Sequence, residues 1–175
     1  MEGACQGDIS KNLFVKTVFI FPWARRCKNG DPCPKDYPFW REVVVALRLK
    51  SVITVQVSGI GEDDIGADMK RENLSLEELI GLLGKADTFI SVDSFAPHLA
   101  NFYGKHGIVI FSQSDPTIFG YEQNINLLKD RKYLRPNQFE YWDQTITVKE
   151  AFVDPIVVVE SVIKKINEPN SLRGR

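Results

Sequence analysis

No stretch of this sequence reaches the run of about 18 consecutive apolar residues that a membrane-spanning helix needs, and none is therefore expected to cross a bilayer. The N-terminal residues, MEGACQGDISKN, lack the basic segment followed by an apolar one that marks a secretory leader, so a cytoplasmic chain is the expectation. Basic blocks are missing too. Lys and Arg number 22 against 23 Asp and Glu, for a net charge of -1, which excludes nucleic-acid binding by bulk charge. Cysteine is scarce: Cys5, Cys27 and Cys33 make an odd count with no Cys-x-x-Cys pair, which argues against a disulfide framework or a zinc site. For Cys27 and Cys33, in one loop, two readings stay open: free thiols, or a pair that closes under oxidation. Internal repeats and low-complexity tracts are also absent.

What is present is an alternation of apolar runs and amphipathic segments in a chain of 175 residues, a length that suits one domain or two very small ones. The dense run from Leu13 to Phe21 predicts a buried strand, and SVITVQVS, DTFISV and GIVIFS predict three more. Between them, Trp40, Val43, Val44 and Leu47 fall on one face of a helix. Ser75 and Glu78 form a capping box ahead of Leu76, Leu79, Ile80 and Leu83. PHLANFY reads as a short helix closed by Gly104. Asp154 and Pro155 open a last helix, PIVVVESVIKKI, read as packing on its own sheet in preference to docking elsewhere. The segments GIGEDDIGADMKREN and QSDPTIFGYEQN read as loops, and the chain from there to about Ala151 as irregular. Strands that are near-continuous apolar runs are covered on both faces. The order predicts an α/β fold: a single Rossmann-like, doubly wound parallel sheet flanked by helices over residues 13–167, with tails at 1–12 and 168–175.

In such sheets ligands bind beyond the carboxyl ends of the strands. The loop after the first strand carries Arg25, Arg26, Lys28 and Lys35; the second ends in Gly59, Gly61, Glu62, Asp63 and Asp64; the third in Asp93, Ser94 and His98; the fourth in Gln113, Ser114, Asp115 and Thr117. Nearly every unusual polar residue thus falls on one sheet edge. A helix starting near Ala96 would offer its free amides and dipole to an anion there, with Ser94 adding a hydroxyl and His98 in the first turn. Asp93 suits a sugar hydroxyl better than a phosphate. The plainer reading is that Ser94 or Asp93 caps the helix and His98 is a satisfied surface residue. Arg25 and Arg26 are candidate phosphate contacts, or simply a solvated basic loop. Glu62 suits a ribose diol, although GIGEDD lacks the Gly-x-Gly-x-x-Gly spacing, and the three acids there read equally as an acidic turn.

The stretch DTFISVDSFAPHLANFYGKHGIVIFSQSDPTIFGY resembles the nucleotide-sugar-binding half of family 9 glycosyltransferases, the heptosyltransferase-like group. That family shows an acid, Ser or Thr, Gly, two residues and His; Asp93, Ser94 and His98 match in type and order, and so does the Ser-Asp-Pro at Ser114 to Pro116. PKDYPFW resembles the family's Lys-x-x-Pro element, which places Lys35 near the nucleotide diphosphate; the resemblance also places Glu62 near the ribose and the Asp93–His98 turn near phosphate and sugar. Phe95 stands where the family has glycine, and the resemblance runs from about Thr17 to Ile166.

The resemblance implies one half of a GT-B fold: the donor-binding part of an inverting enzyme that needs no metal or cofactor and transfers a hexose or heptose from an ADP- or UDP-sugar. The acceptor half and the catalytic base have no counterpart, so a partner domain or a homo-oligomer is expected to supply them. Two other functions compete: a non-catalytic module that binds or sequesters a nucleotide, and an interaction domain with a decayed site.

Overall fold

A computed structural model describes residues 15–168. The strands are β1 (Lys16–Phe21), β2 (Val52–Ser58), β3 (Met69–Glu72), β4 (Thr88–Val92), β5 (Ile108–Phe111) and β6 (Ile125–Leu128). The helices are α1 (Trp40–Leu49), α2 (Leu76–Lys85), α3 (Phe95–Phe102), the single turn α4 (Pro116–Phe119) and α5 (Pro155–Asn167). All six strands run parallel in one sheet, in the order β3-β2-β1-β4-β5-β6.

Period-2 alternation divides the core into two layers. In β1, Val18 and Ile20 face the layer formed by α1 and α5, where Trp40, Val43, Val44, Leu47, Val158 and Val162 are buried; Phe19 and Phe21 face α2 and α3, against Leu83, Phe89, Ala96 and Ala100. The α5 helix therefore buries Val158, Val159, Val162 and Ile166 on its own sheet. Coverage on both faces explains the unbroken apolar strands.

The sheet has two strands more than the sequence pattern predicts. The segment expected to be one polar loop contains β3, whose four side chains are all exposed, so the strand carries no apolar alternation. Likewise β6, in the stretch expected to be irregular, is an edge strand with only half-buried residues. Asp154 does not cap α5 with its side chain; it pairs with Lys129 at 3.5 Å, while Pro155 does occupy the first helical position. The predicted strand beginning at Leu13 starts at Lys16, and Leu13, Phe14, Cys5 and most of both predicted tails lie outside the described residues.

Order reverses at β1. From there the chain builds outward through β2 and β3, then returns to add β4, β5 and β6 on the other side. The loops after β1 and β4 diverge at this switch point, where such sheets open a crevice.

Candidate functional site

A cleft of about 870 Å³ lies at the carboxyl edge of the sheet, over the β1–β4 switch point. One wall is the long loop between β1 and α1. Trp40 donates its indole N–H to the Pro22 carbonyl at 3.2 Å, tying the loop's end to its beginning. Tyr37 donates to the Val153 carbonyl at 2.9 Å and meets Phe39, Trp40 and Phe152 edge-on. Lys35 is thereby set two residues from a rigid anchor. Its Nζ lies 3.2 Å from Asp93 Oδ2, with the two side chains 17% and 9% exposed. This ion pair spans the switch point.

The second wall begins at β4. Ser94 is the residue before α3, yet its side chain makes no capping hydrogen bond; its Oγ lies 3.3 Å from Ser91 Oγ instead. With Asp93 paired to Lys35, neither side chain caps the helix; Pro97 brings no N–H to the first turn, so the Phe95 and Ala96 amides are the donors this helix end offers beside the cleft. Phe95 is the first helical residue, 60% exposed, and belongs to neither core layer. His98 is exposed, with Nδ1 2.8 Å from the Tyr121 hydroxyl.

The turn after β2 forms the third wall. The buried Gln56 organises it, donating to the Asp63 carbonyl at 2.7 Å and accepting from Ile65 N–H at 3.0 Å. Glu62 accepts from Gly59 N–H at 2.7 Å, and Asp64 accepts from Gly66 N–H at 2.7 Å. The acidic-turn reading therefore accounts for Asp64, while Glu62 closes its own turn and also lines the cleft.

Of the residues that the sequence points to, the structure brings Arg25, Arg26, Lys35, Glu62, Asp93, Ser94, Phe95 and His98 together around the cleft. Ser114 and Asp115 are not among them. Ser114 is buried behind β5, and Asp115 caps α4 through Thr117 N–H at 2.9 Å while accepting both Arg131 nitrogens, at 3.2 and 2.6 Å. The Arg131 guanidinium holds the Asp115 carboxyl below its ordinary range. Cys27 and Cys33 are both free thiols on the cleft wall, Cys27 half-buried and Cys33 buried; burial pushes Cys33 up to about 11.

Sequence reasoning missed the aromatic side of the cleft. Trp23, Phe139, Tyr141 and Trp142 line it, three of them from the stretch read as irregular. Lys28 Nζ sits 3.7 Å from the Tyr141 ring centre, and its backbone N–H donates to the Asp143 carboxylate. Arg135 stacks on Trp142 at 3.6 Å, with Lys35 on the same indole at 5.2 Å. No periodicity marks Phe139, Tyr141 and Trp142, because they meet the first loop only through the fold.

Residues 72–141 match glycosyltransferase family 9 (heptosyltransferase). No curated protein matches the chain. Among solved structures, the family 9 glycosyl transferase from Veillonella parvula is 14% identical, with 88% of this chain covered, 47% of that one, and a TM-score of 0.66. E. coli heptosyltransferase WaaC, solved with ADP, is 20% identical, with 64% of this chain covered, 37% of that one, and a TM-score of 0.51. The dodecameric, iron-containing heptosyltransferase TibC of enterotoxigenic E. coli, solved with ADP-D-beta-D-heptose, is 16% identical, with 90% of this chain covered, 46% of that one, and a TM-score of 0.56. The chain thus spans less than half the length of each. Among the described residues, no three His, Cys, Asp or Glu side chains are grouped so as to hold a metal ion. With a family match over residues 72–141 and the same α/β fold along most of its length, the chain resembles glycosyltransferase family 9, the heptosyltransferases, in sequence and in one half of a GT-B architecture.

Proposed function

We propose that the chain is the donor-binding half of a family 9-like glycosyltransferase, and that its cleft takes the diphosphate of an ADP- or UDP-sugar. The observation that carries this reading is Lys35, held almost buried at the switch point beside a helix end that no side chain caps. Unpaired amides and a fixed cation favour a diphosphate. Arg25 and Arg26 add positive charge at the rim, and Glu62 also lines the cleft; in this reading it takes the ribose diol. WaaC with ADP and TibC with ADP-D-beta-D-heptose support the same ligand class.

In transfer, the acceptor oxygen forms a bond to the anomeric carbon as the bond from that carbon to the diphosphate breaks. The electron pair leaves with the diphosphate, stabilised by Lys35 and the start of α3. In this reading those groups take the charge and no metal is called on. The acceptor's proton goes to a base supplied by an acceptor half in a partner domain or subunit. The chain alone is expected to bind a nucleotide sugar and to transfer it slowly or not at all, because orientation of the second substrate accounts for much of the rate. Calorimetry with ADP and UDP tests the reading: micromolar to millimolar binding is expected, and no heat with millimolar ligand of either kind would overturn it.

Phe95 opens α3 and lines the cleft at the helix end that this reading gives to the phosphates. Phe95→Gly is expected to cost about 1 kcal/mol of stability through backbone freedom, since the residue is 60% exposed and belongs to neither core layer. It is expected to tighten pyrophosphate binding, read by calorimetry beside a thermal melt. Weaker binding in a folded variant would show that the ring itself contacts the ligand.

A further inference from the structure

Asp36 is absent from the cleft lining, yet it is the tie that shapes the cationic loop. Its Oδ1 accepts from Ala24 N–H at 2.8 Å and its Oδ2 from Cys33 N–H at 3.2 Å. Between those two amides the chain makes the excursion that carries Arg25, Arg26 and Lys28, and Lys35 follows two residues after the second. Other ties are local: Gly30 N–H to the Cys27 carbonyl at 2.9 Å, and Arg26 to the Gly30 carbonyl at 3.1 Å. The Trp40 indole on the Pro22 carbonyl closes the loop from outside; the Asp36 carboxylate joins Ala24 to Cys33, the two ends of the excursion itself.

We propose that Asp36 is a positioning residue: its ionised carboxylate holds the loop in its anion-binding shape, and its protonation in mildly acidic solution frees one amide and weakens the site for the nucleotide sugar. The inference rests on the donor-site reading above and adds a pH control to the same cleft. A protonated carboxyl keeps one good acceptor and gains a donor, so it cannot serve two N–H groups equally. Burial pushes the Asp36 carboxyl up to about 6, the two backbone amides pull it down, Glu62 raises it and Lys35 lowers it. Cys27 and Cys33 are the other titratable groups facing it.

The sign of the stability effect separates this control from acid unfolding. A carboxyl at about 6 in the fold, against 3.8 ordinarily, is protonated first in the folded state. Its contribution is fully present below the unfolded value and is lost as pH rises through the folded one. Falling pH therefore stabilises the fold through this group, and affinity is expected to drop while stability does not.

The test follows the Ala24 and Cys33 amide resonances of the full chain from pH 8 to pH 5, together with its affinity for ADP-glucose. That ligand is chosen because its phosphates are both esterified, whereas a phosphate monoester itself titrates near pH 6. Both amides are expected to shift with one midpoint near 6 in the wild type and to stay still in Asp36→Asn. Affinity is expected to fall about tenfold across the range in the wild type, as the loss of one charge-assisted contact implies, and to be low and flat in the variant. Amides that do not titrate in the wild type, or an asparagine variant that keeps the wild-type profile, would overturn the proposal while leaving nucleotide binding intact. If ADP-glucose does not bind at pH 8, the affinity arm is run with UDP-glucose, whose phosphates are likewise both esterified; binding of neither overturns the donor reading, and the wild-type amide titration still decides the tie by itself.

Discussion

Lys35→Ala is expected to lower ADP affinity tenfold to a hundredfold while leaving adenosine binding nearly unchanged. A lysine on a phosphate forms a charge-assisted hydrogen bond worth about 1.5–3 kcal/mol, which is that range of affinity. The same substitution removes the counter-charge of Asp93, whose side chain is 9% exposed. Breaking a buried pair from one side costs about 3–5 kcal/mol. The lower end applies here, because the Arg135 guanidinium also interacts with Asp93. At roughly 2–4 °C per kcal/mol for a chain of this size, the melting temperature should fall by about 6–12 °C. The two effects come apart in Lys35→Ala with Asp93→Asn, which removes the stranded charge. That double variant should regain most of the stability and none of the affinity, by melting and calorimetry run together. Equal losses for ADP and adenosine in the single variant would place Lys35 away from the phosphates.

Gly107→Ala is expected to be the most damaging small substitution in the sheet. A methyl there would lie 2.5 Å from the Phe89 carbonyl oxygen and 2.6 Å from its ring. Phe89 is only 2% exposed in the centre of one core layer, so neither atom can withdraw. Gly107 is also tied twice to the start of β6, donating to Asn124 Oδ1 at 2.9 Å and accepting from Ile125 N–H at 2.9 Å. Overpacking of a rigid core costs about 1–3 kcal/mol and occasionally more; contact with backbone on one side and a core ring on the other puts this site at or above 3 kcal/mol. Denaturant unfolding measures it. Adding Phe89→Leu should recover only part of the loss, since the carbonyl clash stays. Full recovery would mean that the ring alone excludes the methyl.

The elements most legible in the sequence are those whose evidence is local. Ser75 and Glu78 do form the reciprocal cap, with hydrogen bonds of 3.3 and 2.8 Å. Trp40, Val43, Val44 and Leu47 are all buried on one face of α1. Edge strands escaped the pattern because an edge strand has one neighbour and little burial; Met69 to Glu72 expose every side chain. On the site, residue type and position after a strand were enough to collect eight residues around one cleft. Ser114 and Asp115 follow β5 as the others follow their strands but do not line this cleft: both are buried, and Asp115 serves α4 and Arg131.

The sequence by itself determined the helices with caps and apolar faces, the four interior runs and the edge on which polar residues gather. These follow from hydrogen bonds and periodicities that reach only a few residues along the chain. Tertiary structure alone decided that Lys35 meets Asp93, 58 residues away, and that Tyr37 is anchored on Val153, 116 residues away. It alone decided, too, that an aromatic wall from residues 139–142 closes over the first loop. Such pairs depend on strand order, and strand order is set by how the two helical layers cover the sheet, a packing choice that no short window of residues contains.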